Sequence, residues 1–227
     1  MNDLNAAPIN PLPPVVWLLA LPVIAMEVVV SLGASGYAGG GSGIGWRLDA
    51  VQRFGFSPEY LRRMYAAGLW PADGLMRLIS YPLVHLSVTH TVWVIVFLLA
   101  LGKFVGEVFR WWAVLAVVFG ATAFAALIYA AVPVVTAPLV GGYPPVYGLI
   151  GAFTFILWTN LGRTGGNQFR AFSLIGMLLA VQLVFGLLFG GGTEWIADLA
   201  GFGAGFALSI LVCPGGWARM MAKLRAR

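Results

Sequence analysis

Six stretches of this chain, at about residues 15–33, 79–101, 111–132, 139–161, 171–190 and 194–213, are long, apolar and almost free of charge. An apolar run of about eighteen residues or more is long enough to cross a bilayer as a helix. Packing six such helices as the core of a water-soluble domain would leave almost no polar surface. Hydrophobic residues make up 60% of the sequence and charged residues 9%, against roughly 25% charged residues in an ordinary soluble domain. The fold class expected is therefore an all-α polytopic membrane protein with six transmembrane helices. The first span reads as retained, because Met1–Pro14 contains no Lys or Arg and no small-residue cleavage site follows.

The net charge of +5 does not point to nucleic acid, since the basic residues sit in loops and at the C-terminus. Lys103 and Arg110 lie between spans two and three, Arg163 and Arg170 between four and five. Loops three and five contain no Lys or Arg, so the positive-inside rule puts both termini in the cytoplasm. The sequence is expected to divide into a tail at 1–14, a membrane domain at 15–213 and a basic tail at 214–227. Arg219, Lys223, Arg225 and Arg227 would lay that last tail against anionic headgroups. Compactness without added domains favours the inner membrane of a bacterium. The lone Cys213 excludes a disulfide framework and is expected to be apolar filler.

Between spans one and two lies a long loop. Residues 34–45 are rich in Gly and Ser and read as a flexible linker. Ser57-Pro58-Glu59 is a helix start, with a serine N-cap, proline at the first helical position and an acid in the first turn. The helix that follows mixes aromatic, apolar and basic residues, which suits the membrane interface on the non-cytoplasmic side. Pro144-Pro145 fits only the first turn of span four, and a Gly-Gly-Gly turn at 190–192 separates spans five and six. No internal repeat supports an inverted-repeat transporter.

Several motifs carry a resemblance. Gly141-Gly142-Tyr143-Pro144 opens span four, and His85 and His90 stand five apart at the head of span two. Arg77 precedes His85 by eight residues, Glu107 follows span two, Tyr147 comes four residues after Tyr143, and Gly201-Phe-Gly-Ala-Gly205 lies in span six. In order and spacing these resemble the rhomboid intramembrane serine proteases over roughly residues 76–209. The chain is identified as a member of that family with a rhomboid-like six-helix bundle. By the resemblance, Arg77 matches the arginine of a Trp-Arg loop motif, with Met76 in place of the tryptophan. Tyr147 matches an aromatic that stacks on the catalytic histidine.

The departures fall on the catalytic positions that the resemblance implies. Tyr143 stands where the family has its serine nucleophile, Asp198 where it has its histidine base, and Val94 where an asparagine helps bind the oxyanion. A serine nucleophile needs a base within hydrogen-bond reach, and losing a triad member removes most of the acceleration. The phenol oxygen of Tyr143 lies several ångströms further from the backbone than a serine oxygen, so attack and oxyanion donors no longer coincide. Pro144 and Pro145 contribute no amide donors. The only histidines are His85 and His90, and Ser87 beside them lacks the geometry of a preorganised pair.

No catalytic residue, cofactor or metal is therefore expected. His85 and His90, read as one helix, would lie on different sides of it, unlike the one-face pair of a zinc helix. The resemblance extends to the inactive rhomboids and derlins and implies binding of transmembrane client segments, with influence on their stability or assembly. The alternative is an active rhomboid-type intramembrane serine endopeptidase with a non-standard site. A solute transporter would need a polar path, for which Glu27, His85, His90, Gln182 and Asp198 are too few. Ionisable residues inside spans are expensive and default to functional readings. Glu27 is expected to face Arg77 or water, and Asp198 to accept a hydrogen bond from Tyr143. Gly148, Gly151, Gly201 and Gly205 are expected to bring helices four and six close together. Oligomeric state is not encoded legibly.

Overall fold

The computed structural model describes residues 11–189 and 192–213, and its described residues are built from helices. In chain order these are α1 (Pro14–Ala34), α2 (Trp46–Phe54), α3 (Pro58–Ala67), α4 (Ala72–Ser80), α5 (Val88–Val108), α6 (Trp111–Ala131), α7 (Tyr143–Arg163), α8 (Ser173–Phe189) and α9 (Trp195–Val212). Five of them, α1, α5, α6, α7 and α9, are long and apolar enough to cross a membrane. The sixth, α8, has 17 residues, the lower edge of the spanning range. The chain is an all-α polytopic membrane protein, with α2, α3 and α4 forming the long first loop.

The second span begins later in the chain than its hydropathy suggests. Residues 79–87 are the end of α4, a 3-10 turn at Tyr81–Leu83 and an extended stretch. Pro82 interrupts the apolar run, and Ser87 starts the true helix by accepting from the His90 amide at 3.2 Å. His85 consequently lies in a loop and not on the span. The predicted start at Ser57 is where α3 begins, its hydroxyl accepting from Tyr60 N at 3.2 Å. The basic tail at 214–227 and part of the Gly-Gly-Gly turn lie outside the described residues.

Residues 34–45 are not a flexible linker. Gly40–Gly45 winds into a 3-10 helix against α1, and the ring of Trp46 fills the space left by missing side chains. A Cβ on Gly33 would lie 2.6 Å from Trp46 Cε3, and one on Gly39 2.5 Å from Trp46 Cζ2. The glycines serve close approach here, where composition alone suggested looseness.

The first loop is fastened to the bundle by main-chain acceptors. Arg62 of α3 donates to the carbonyls of Ala130, Val132 and Val135 at 2.9, 2.8 and 2.6 Å. Those groups end α6 or follow it, where carbonyls have no helical partner. Arg77 of α4 donates to Gln52 O at 2.7 Å and lies over the Tyr60 ring. Arg77 thus ties the loop together.

At the centre of the bundle, α7 packs on α9 with α6 beside them. Main chain meets main chain there. A Cβ on Gly201 would strike Pro144 O, one on Gly205 would strike Gly148 O, and one on Gly151 would strike Phe202 O. Small residues allow this approach where hydrocarbon gives no hydrophobic drive to helix pairing.

Candidate functional site

The site begins with the loop that leads into α7, whose backbone is held at three successive points. Leu139 and Phe56 exchange both main-chain bonds, at 2.8 and 3.0 Å. Gly141 N donates to Tyr81 O at 3.1 Å, and Gly142 N donates to His85 Nε2 at 3.1 Å. Gly141 has φ +101°, a conformation that disfavours any side chain, and a Cβ there would lie 2.5 Å from His90 Cε1. The loop can therefore pass directly over the two imidazoles.

His85 and His90 are neighbours in space, with rings edge-on at a centroid distance of 4.9 Å. Treating both as one helix placed them on different sides, and the loop position of His85 reverses that. Burial, with help from His90, pushes the His85 imidazole down to about 4. It is neutral at physiological pH, so Nε2 accepts the Gly142 amide.

Tyr143 stacks on His90, the centroids 4.7 Å apart and the planes 24° from parallel. This is not the contact that the resemblance implies for Tyr147, whose partner there is the base histidine; Asp198 stands at that position, so no imidazole faces Tyr147 from it. The Tyr143 stack is formed because a phenol at the head of α7 reaches the His90 imidazole that a serine would only approach. Tyr147 is buried one turn further along α7. His90 Nε2 has no hydrogen-bond partner among the described residues.

Asp198, 4% exposed on α9, does not bond Tyr143. Its Oδ2 accepts from Gln182 Nε2 of α8 at 3.0 Å. The tyrosine ring lies on the imidazole, which leaves the carboxylate to the amide. Replacing Gln182 by leucine or Asp198 by asparagine should each lower stability by about 1 kcal/mol, with the double variant losing less than the sum. Melting of the four proteins in one detergent checks this, and strict additivity would dissolve the pair. Tyr143→Phe should be close to neutral in the same assay.

Val94 is 2% exposed, and a Cβ on Gly142 would lie 2.6 Å from its Cγ1. It offers the loop an apolar wall. Gly142 has given its amide to His85, and Pro144 and Pro145 have none, so Tyr143 alone retains an amide at this helix start. No serine or threonine hydroxyl is bonded to either imidazole among the described residues. Glu107 is exposed near the end of α5, away from these groups.

A second polar cluster adjoins the first. Glu27 of α1 pairs with Arg47 of α2, not with Arg77, through contacts of 2.6 and 3.1 Å. Ser31 and Thr91 also donate to that carboxylate, at 2.7 and 2.6 Å. Arg47 further donates to His85 O at 2.9 Å. One ion pair thus joins α1, the first loop and α5 to the histidine that holds the site loop. Sequence alone did not single out Arg47. The clue available was an acid within a span, which requires a cation, and Arg47 is the arginine nearest to α1 in the chain.

The fold is that of a multi-pass helical membrane protein. A family profile described as Rhomboid domain matches residues 72–215, from α4 through α9, and the chain belongs to the rhomboid family. No curated protein matches it.

Proposed function

We propose that this chain is a rhomboid pseudoprotease that binds transmembrane segments of client membrane proteins and influences their stability or assembly. It does so as one membrane domain, residues 15–213, in a bacterial inner membrane with both termini in the cytoplasm. The observation that carries this reading is the Tyr143 ring stacked on His90 at the position that resembles the nucleophile's. The supporting facts are the engagement of Asp198 by Gln182 and the apolar wall at Val94. Acyl transfer needs a hydroxyl, a base that reaches it, and donors where the oxyanion forms. Here the hydroxyl is a distant phenol, the carboxylate is occupied, and two residues of the helix start lack amides. What remains is a helix bundle with a preserved scaffold, suited to holding an apolar helix.

A serine-directed fluorophosphonate should not label the purified protein, and a model transmembrane substrate should stay intact. The double variant Tyr143→Ser/Asp198→His should remain inactive, because Pro144, Pro145 and Val94 still deprive the oxyanion of donors. A photo-crosslinking residue at 143 should instead capture intact client helices from membranes. Labelling abolished by changing one particular serine, or robust cleavage by the double variant, would overturn the reading.

A further inference from the structure

The bundle contains an apolar cleft behind the site. Its volume is about 100 Å³, roughly three times a water molecule's share of the liquid. The mouth is formed by Leu18 and Pro22 of α1, Ile79 of α4 and Phe119 of α6. Leu18, Ile79 and Phe119 are 60%, 46% and 46% exposed on the bundle surface. The floor is formed by Val94, Val118, Thr122, Gly142 and Val146, all buried. An ordered water needs two to four polar partners, and the floor offers few. The Thr122 hydroxyl is spent on Val118 O at 2.8 Å, its carbonyl accepts from Tyr81 at 3.1 Å, and the Gly142 amide is given to His85.

We propose that this cleft binds one acyl chain of a membrane phospholipid, whose end rests against Gly142 and Val94 at the back of the Tyr143 site. Three observations select this occupant. The mouth is continuous with the surface that α1 and α6 present to the bilayer, so hydrocarbon is the solvent at its entrance. The lining is predominantly apolar and offers dispersion contacts along its floor, which suits methylene better than a polar group. The space is far too small for a helix, whose diameter with side chains is about 10 Å, and a client segment is excluded from it. Val94 is decisive for the lining. A polar side chain at that position would place an amide in the floor, and the valine makes the cleft apolar to its end.

The test uses the full-length protein in lipid nanodiscs doped with a phosphatidylethanolamine that carries a diazirine midway along one acyl chain. After illumination, adducts mapped by mass spectrometry should fall on the floor residues Val94, Val118 and Val146 as well as on outward side chains. Filling the cleft with Val118→Phe, or from the opposite wall with Val23→Phe, should reduce floor adducts at least fivefold. Adducts on Phe124, exposed elsewhere on α6, should not change. Each variant is scored only if it melts as a folded protein, and Val94→Asn provides a third, less bulky test with the same expected direction. Floor labelling no greater than background, labelling unchanged in the folded filled variants, or labelling by a water-soluble carbene reagent would overturn the proposal. So would labelling by a diazirine fatty acid without labelling by the phospholipid.

Discussion

Gly205→Leu should destabilise the protein by more than about 2 kcal/mol, and Gly201→Leu by a similar amount. The obstacle at each position is main chain. A Cβ at 205 would meet the carbonyl of Gly148 and lie 2.6 and 2.7 Å from its C and Cα, and one at 201 would meet the carbonyl of Pro144. A flexible side chain could swing away, but a helix backbone cannot, so α7 and α9 must separate. Even Gly205→Ala should melt well below the parent. Gly203 is the control on the same helix, since a Cβ there meets nothing within 4 Å, and Gly203→Ala should be neutral or slightly stabilising. Thermal unfolding in a fixed detergent compares the three. Equal melting of Gly205→Ala and Gly203→Ala would mean that the two helices do not meet through these glycines.

Arg47→Met should be comparably damaging, at about 3 kcal/mol or more, because it strands the Glu27 carboxylate. Removing one member of a buried pair leaves an uncompensated charge, which typically costs about 3–5 kcal/mol. The side chains here are 20% and 12% exposed, and the carboxylate belongs to a membrane-spanning helix. Glu27→Gln should be milder, since the amide still accepts from Ser31 or Thr91. The double variant Glu27→Gln/Arg47→Met should recover much of the loss, because no unpaired charge remains. Arg47→Met should also loosen the site loop, as Arg47 donates to His85 O and His85 receives the Gly142 amide. Hydrogen exchange at the Gly142 amide reads this directly. Exchange unchanged in a variant that has lost stability would separate the ion pair from the site.

Sequence and structure agree where long apolar runs or cap chemistry carry the information. The spans at 111–132 and 139–161 correspond to α6 and α7 within a few residues, and Ser57-Pro58-Glu59 opens α3 as its side chains require. They disagree where hydropathy and shape part company. The stretch 79–87 is apolar enough to count as membrane yet carries Pro82 and a serine cap, so it is loop, and this brings His85 beside His90. The Gly-rich stretch at 34–45 leaves its own large apolar side chains, Tyr37 and Ile44, exposed, and its order comes from Trp46, a partner that composition cannot weigh. At the site, Tyr143, Asp198 and Glu27 could be singled out one residue at a time. Their partners could not: that Tyr143 would lie on His90, that Asp198 would meet Gln182, and that Glu27 would pair with Arg47 all depend on distances between helices.

The pairing of α7 with α9 through backbone has a consequence for substitution. Where two helices recognise each other by glycine and carbonyl, the side chains at their ends contribute little to holding them together. Positions 143 and 198 are such ends. The residues that hold the scaffold together and the residues at positions 143 and 198 are therefore separate sets, and a substitution in one set need not unfold the other. A bundle joined this way leaves the side chains at positions 143 and 198 open to exchange without parting α7 from α9.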